Sequence, residues 1–247
     1  MQDAFSRTRK LLGAEAMDRL SACRVAIFGV GGVGGYALEA LVRSGIGAVD
    51  LIDNDKVSLS NLNRQIVATR ETIGRDKVEV AAERVREINP DCTVRTYQTF
   101  FLPETADSFD FSQYDYIVDA IDTVTGKIAL VQKAVAAGVP IICSMGAGNK
   151  LDPSRFRVSD LSKTHTDPLA KVMRHKLREL GIKKLKVVWS DEQPMKPIPD
   201  TEPEENGRRE TPGSIAFVPS VAGLILAGEV VRDLIAKEKP TKGENAL

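Results

Sequence analysis

Cysteine is scarce in this chain and badly spaced for any cross-linked or metal-bound role. Cys23, Cys92 and Cys143 lie far apart, with no Cys-x-x-Cys pair. That excludes a disulfide framework and a tetrahedral cysteine zinc site, and a reducing cytoplasm is the expected compartment. Net charge is absent too: 34 lysines and arginines balance 34 aspartates and glutamates. No global field steers the protein to nucleic acid or membrane, so any such affinity must be local. Long hydrophobic runs are missing. The charged start (Arg7, Arg9, Lys10) does not read as a signal peptide. The most apolar stretch, near Ile215 to Val231, is interrupted by Pro219 and Glu229 and diluted by Gly223 and Gly228. A membrane span needs roughly 20 mostly apolar residues. This stretch reads as a buried strand end plus helix, with a peripheral membrane contact as the alternative and no stable insertion expected. There is no internal repeat and no Walker loop.

What is present alternates. Arg7 to Ser21 has helical spacing, with Leu11, Leu12, Met17 and Leu20 apolar. Arg24 to Phe28 is a short apolar run ending at glycine, as a buried parallel strand does. Val33 to Ser44 predicts a helix, and Ala48 to Ile52 a second strand. A helix over Asp76 to Ile88 stops at Asn89-Pro90. Thr93–Tyr97, Tyr116–Val118 and Pro140–Cys143 predict further strands, with a helix from Thr125 to Ala137. This alternation implies an α/β, Rossmann-like, doubly wound and mainly parallel sheet. After Gly148 the pattern changes to strands at Phe156–Ser159 and Lys186–Trp189 flanking a basic helix, Pro168–Leu180. Residues 193–213 hold five prolines and many charges and are expected to be a mobile loop. Ser220 to Ala236 closes the chain as a helix. At 247 residues one large domain is expected. Its residues 1–148 would form a nucleotide-binding portion, and 149–247 a substrate-binding and dimer portion.

The chemistry gathers around Gly29-Val-Gly31-Gly32-Val-Gly34. Gly29 and Gly31 allow a tight turn and close backbone approach, and Gly34 lets the helix sit near the strand. The helix start then offers unpaired N–H groups to phosphate. NAD enzymes use the same loop, so it does not discriminate by itself. Asp53, ending the second strand, can accept bonds from ribose hydroxyls. Asp55 is either a second polar contact or a solvated turn residue. Asn61, Arg64, Gln65 and Lys77 break the tie. A guanidinium can clamp two phosphate oxygens, and Lys77 adds a point charge. Hydride transfer builds no charge at phosphorus, whereas displacement at phosphorus does, and fixed cations lower its barrier. Asp119 and Asp122 follow a strand at the end where ligands of such sheets gather. Asp122 reads as a magnesium ligand, as a helix N-cap, or as both.

These motifs, together with Leu51-Ile-Asp53-Asn-Asp55, Gly74-Arg-Asp-Lys77 and Asp119-Ala-Ile-Asp122, resemble the adenylation domain of the ubiquitin-activating-enzyme-like family. The family includes the adenylyltransferases of molybdopterin and thiamine biosynthesis. The likeness runs from about Phe5 to Gly148. It implies ATP as co-substrate, and a carboxylate that attacks the α-phosphate to give an acyl-adenylate and pyrophosphate. It further implies that Asp53 binds ribose, Arg64 and Lys77 bind phosphates, and Asp122 binds magnesium. Arg7 is similar to the family arginine that reaches into the partner's site of a homodimer.

Many relatives carry cysteine pairs for zinc and a later cysteine that takes the acyl group, and this chain departs from both patterns. Cys143 ends an apolar strand and reads as core. A nucleophile on the substrate would then finish the reaction. Asp160-Leu-Ser-Lys-Thr164-His-Thr-Asp167-Pro168-Leu169, Met173-Arg174, Leu177-Arg178 and Gly213 to Gly223 resemble one branch of the family. That branch is implied to act on a modified adenosine beside the tRNA anticodon. It adenylates the threonine carboxylate there, and a carbamoyl group of the same side chain displaces AMP in a ligase-type cyclisation. A cysteine desulfurase or sulfur acceptor is a further partner left open. Between Lys163 and Lys186 eight lysines and arginines face only Asp167 and Glu179. That is a footprint for an RNA backbone or a solvated helix face. His165 is open to a proton-transfer role, and His175 reads as surface. The competing functions are an activator of a ubiquitin-like sulfur carrier and a non-catalytic nucleotide-binding scaffold.

Overall fold

The computed structural model describes residues 3–196, 198 and 212–236. Most of the expected loop 193–213 therefore lies outside the described residues. A seven-stranded sheet in the order β3-β2-β1-β4-β5-β7-β6 organises the rest. Its strands are β1 (Arg24–Phe28), β2 (Ala48–Ile52), β3 (Thr93–Tyr97), β4 (Tyr116–Asp119), β5 (Ile141–Ser144), β6 (Phe156–Asp160) and β7 (Lys186–Ser190). All neighbours pair parallel except β6, which runs antiparallel to β7 at the edge. The helices are α1 (Ser6–Leu12), α2 (Ala14–Ala22), α3 (Gly34–Arg43), α4 (Lys77–Ile88), α5 (Val124–Ala137), α6 (Pro168–Glu179) and α7 (Phe217–Ala236).

The central strands are apolar on both faces because both are covered. Val25 and Ile27 of β1 enter the core shared with α3, α4 and α7. Ala26 and Phe28 enter the opposite core with α5, α6 and a cluster of phenylalanines. Phe28 packs edge-on against Phe101 at a ring separation of 4.8 Å. Strand order reverses between β1 and β4, and crevices at such switch points open at the carboxyl ends of the strands.

Two expectations are corrected here. The single helix over Arg7 to Ser21 is two helices, because Gly13 sits at φ +85° between them. The apolar stretch near Ile215 contains no strand end. It is helix from Phe217 onward, with Pro219 tolerated in the first turn, where a missing N–H breaks no helical bond. Val218, Ala222, Leu226, Val230 and Leu234 of α7 are buried, and none of the described helices is long and apolar enough to cross a membrane. Residues before and after position 148 build the sheet together, and α7 packs on the start of α3. A Cβ at Gly223 would lie 2.2 Å from the carbonyl oxygen of Val33, so only glycine allows that approach.

Candidate active site

A cavity of about 440 Å³ opens at the carboxyl ends of β1, β2 and β4. It brings together Gly29, Gly31, Gly32, Asp53, Asp55, Asn61, Arg64, Gln65, Lys77 and Asp122. Gly29 and Asp122, remote in sequence, meet because three parallel strands end there. Gly34 and Arg7 are not in its wall. Gly34 has a packing role: a Cβ there would fall 1.8 Å from the Gly29 carbonyl oxygen. Gly29 carries the turn at φ +89°, and its Cβ would strike the Ala120 backbone at 2.7 Å. Among the described residues, the N–H groups of Gly31 and Gly32 have no acceptor, and α3 starts without a side-chain cap. Arg7 is exposed on α1.

Asp53 is tightly held. Its Oδ2 accepts from the Val30 N–H at 2.7 Å, and its Oδ1 from the Asp55 N–H at 2.8 Å. Burial raises its pKa, and the charge of Lys77 and the two N–H bonds oppose that rise. Such a carboxylate has acceptor capacity left for hydroxyl donors. Asp55 lines the cavity and also has a local partner. It accepts from Lys77 Nζ at 2.8 Å and so aims that cation. Lys77 is buried and is the first residue of α4. Placing a cation at a helix N-terminus opposes the helix dipole, so this lysine is costly for stability.

Arg64 has no carboxylate partner among the described residues. Its Nη1 donates to the Ser60 carbonyl at 2.9 Å and to Asn63 Oδ1 at 2.8 Å, leaving its charge for the cavity. Asn61 is partly structural: its Oδ1 accepts from the Ser58 N–H at 3.1 Å and caps a 3-10 turn. Buried Gln65 Oε1 has no hydrogen-bond partner. An orphaned acceptor in a cavity wall fits a ligand donor.

Asp122 is exposed and without a partner among the described residues. The N-cap of α5 is Thr123, so the capping alternative for Asp122 is not realised. Asp119 points away from the cavity. Its Oδ1 accepts from Lys127 Nζ at 2.9 Å and from the Ile121 N–H at 3.2 Å, with both charged side chains fully buried. It therefore shapes the turn that carries Asp122.

Sequence reasoning missed Phe100, Phe101, Ala147 and Gly148, and also Pro212, Ser214 and Pro219. The last three come from the far end of the chain. Asn149 secures them: it accepts the Gly213 N–H on Oδ1 and donates its own N–H to the Gly213 carbonyl. Ser214 and Pro219 lie in the Gly213–Gly223 stretch that carried the resemblance, but nothing in that stretch marked them as cavity wall. Their one signal was the glycine of α7 that allows close docking.

Reactive thiols are not at hand. Cys92 and Cys143 are buried, and burial pushes the Cys92 thiol up to about 11. Burial and the neighbouring Asp119 charge raise Cys143 further. Cys23 precedes β1, at the opposite end of that strand from the glycine loop. His165 stacks edge-on against Trp189 at 4.6 Å and lies outside the cavity wall, and His175 pairs with Glu179 on the surface.

With this geometry the kinship is readable. The sequence matches the ThiF family over residues 5–246. The chain belongs to the ThiF family. It is 45% identical over 243 residues to a tRNA threonylcarbamoyladenosine dehydratase of Bacillus subtilis (strain 168), covering 95% of this chain and 96% of that protein. It is 41% identical to the Escherichia coli (strain K12) dehydratase over 73% of this chain and 68% of that one. The solved structure of E. coli tRNA N6-threonylcarbamoyladenosine dehydratase in complex with ATP matches with a TM-score of 0.85 at 34% identity, over 94% of each chain. The ThiF family thus has a solved ATP complex whose fold this chain shares. The resemblance read from the motifs, and the α/β fold class, agree with these findings.

Proposed function

We propose that this protein catalyses the ATP-dependent dehydration of threonylcarbamoyladenosine in tRNA. The observation that carries the reading is one pocket with two aimed cations, Arg64 and Lys77, over a glycine loop and with no reactive thiol beside it. The 45% identity to a dehydratase over nearly the whole chain supports it.

In the reaction, the threonine carboxylate attacks the α-phosphorus of ATP and expels pyrophosphate. A carbamoyl atom of the same side chain then attacks the acyl carbon and expels AMP, which closes the ring. Arg64 and Lys77 face the charge that develops on the phosphate oxygens. Asp53 holds the ribose. The free N–H groups of Gly31 and Gly32 take phosphate oxygens. Gln65 Oε1 receives a donor from the nucleotide. Asp122 fits a magnesium ion, because a cation shared with phosphates needs one or two protein carboxylates and Asp122 is free to turn toward it. That ion would supply further positive charge at the phosphates. Burial and the raised pKa of Cys92 and Cys143, and the place of Cys23 at the far end of β1 from the glycine loop, argue against the alternative of a carrier-protein activator that works through a thioester.

Mass spectrometry of tRNA nucleosides from cells lacking the protein tests this, under conditions that preserve the cyclic form. Loss of the cyclic nucleoside, restored by the wild-type chain, is expected. Unchanged cyclic nucleoside would refute the function. In the purified reaction, labelled ATP should yield AMP and pyrophosphate.

We also place Arg7 in a homodimer, across the interface, since its own cavity does not include it. Mixing an Arg7→Ala chain with an inactive Asp122→Ala chain should then restore activity in heterodimers, because one hybrid site is intact. No rescue in verified heterodimers would put Arg7 outside the partner's site.

A further inference from the structure

A second groove, about 640 Å³, lies between α6, the 3-10 turn Leu161–Lys163 and the segment leading into β7. We propose that it docks the phosphate backbone of RNA. This rests on the reading of tRNA as substrate, and says where on the chain the RNA is held.

The charge pattern carries the argument. Lys171, Arg174, Arg178, Lys183 and Lys184 line the groove, and no aspartate or glutamate does. The whole chain is neutral, 34 against 34. Neighbouring cations are paired: Arg155 and Arg157 with Asp191, Lys186 with Glu229 and Asp233, and Lys176 of α6 itself with Glu179. Among the described residues Lys171, Arg178, Lys183 and Lys184 have no carboxylate partner and are exposed. Arg174 alone is tethered, to the Thr164 carbonyl at 2.8 Å and to the Thr164 hydroxyl. The C-terminus of α6 tolerates a cation or two through its dipole. Five in one groove repel one another unless an anion spans them.

The spacing suits an extended anion. Lys171, Arg174 and Arg178 fall at i, i+3 and i+7, a stripe about 10 Å long on one helix face. Lys183 and Lys184 extend it past the helix end. The floor is Leu161, Leu177, Ile182 and Leu185. The groove holds no Phe, Tyr or Trp to stack a base and no amide side chain to read a base edge, and its one ring, His175, lies against Glu179. The groove therefore holds backbone rather than sequence.

Its position explains why the ligand must be long. Lys184 and Leu185 precede β7, at the end of the sheet opposite the active-site cavity. The other end of α6 lies at the cavity side. Its N-cap Asp167 accepts from the Gly146 N–H at 3.1 Å and pairs with buried Lys150, beside Ala147 and Gly148 of the cavity wall. A helix of 12 residues spans about 18 Å. An RNA stem bridges that distance while one nucleoside enters the cavity. A free nucleotide does not.

The test uses the full-length protein with Lys171, Arg178, Lys183 and Lys184 changed to alanine, singly and together. Binding of a transcribed tRNA is followed against salt concentration, with AMP formation measured in parallel. Each removed phosphate contact should shallow the log–log salt slope by roughly 0.7–0.9, and the fourfold variant should bind tRNA roughly tenfold or more weakly. KM for ATP should stay unchanged, as should the rate at saturating tRNA. Lys176→Ala, whose cation is already paired, should leave the slope unaltered. Unchanged tRNA affinity and slope in a folded fourfold variant would overturn the proposal while leaving the dehydratase reading intact. Loss of binding to heparin or to anionic phospholipid vesicles, with tRNA binding retained, would also overturn it, by assigning the groove another polyanion. Conversely, groove-dependent tRNA binding by a protein that forms no cyclic nucleoside would uphold the groove and refute the dehydratase reading.

Discussion

Lys77→Ala is expected to slow AMP formation by roughly 10²–10³-fold, with no loss of stability. The two halves of this expectation have separate physical causes. Lys77 is nearly buried and begins α4, where its charge opposes the helix dipole. Its one ion-pair partner among the described residues is Asp55, which is itself more than half exposed. Removing the lysine withdraws a favourable charge from Asp53, whose two N–H bonds remain, and relieves the conflict with the helix dipole, so the melting temperature should stay close to wild type. What is lost is a cation aimed into the cavity that acts when charge builds on phosphate. Arg64→Ala should lose a similar factor, and Arg64→Lys should recover only part of it, because an ammonium cannot form the two-pronged contact of a guanidinium. Single-turnover rates with labelled ATP and tRNA, alongside thermal melts, measure both quantities. A Lys77→Ala enzyme within a few-fold of wild type would mean that the cation does not face the transferred phosphate.

Lys127→Ala has the opposite signature. Lys127 and Asp119 form a fully buried pair at 2.9 Å between α5 and the end of β4. Deleting the lysine leaves a carboxylate in the core without its counter-charge, which costs about 3–5 kcal/mol. For a chain of this length that corresponds to a fall in Tm of roughly 6–20 °C. The double variant Asp119→Leu/Lys127→Met should regain most of that stability, because two apolar side chains replace the pair without leaving either charge behind. It should not regain full activity. Asp119 also accepts the Ile121 N–H and so shapes the turn that presents Asp122 to the cavity. A Lys127→Ala protein as stable as wild type would show that the core already neutralises Asp119 by other means. Denaturant melts of the three variants separate these outcomes.

Much of the architecture follows from contiguous residues. Apolar runs of four or five residues ending at glycine or aspartate predict β1, β2 and β4, because a strand covered on both faces has no polar side. Gly29, Gly31, Gly32, Asp53, Arg64, Lys77 and Asp122 could be singled out from their chemistry, and the cavity contains them all. The wide spacing of the three cysteines, with no Cys-x-x-Cys, was equally plain in the sequence. Burial then explained why Cys92 and Cys143 stay neutral.

The pairing of side chains across elements was decided by the tertiary structure alone. Nothing in the sequence showed that the start of α4 would place Lys77 Nζ against Asp55. Asp119 and Asp122 are three residues apart and share a chemistry, yet one is sealed beneath the cavity with Lys127 and the other opens onto it. Pro212, Ser214 and Pro219 join the cavity from the far end of the chain because Gly223 lets α7 lie on α3. The eight basic residues between Lys163 and Lys186 could not be sorted by composition either. Packing consumed some in ion pairs and gathered others in a groove without a carboxylate. Local sequence determines where the chain turns, which residues lie on one face and what chemistry they carry. Which charge meets which, and what is left over for a ligand, depends on distances that exist only once the sheet has brought remote segments together.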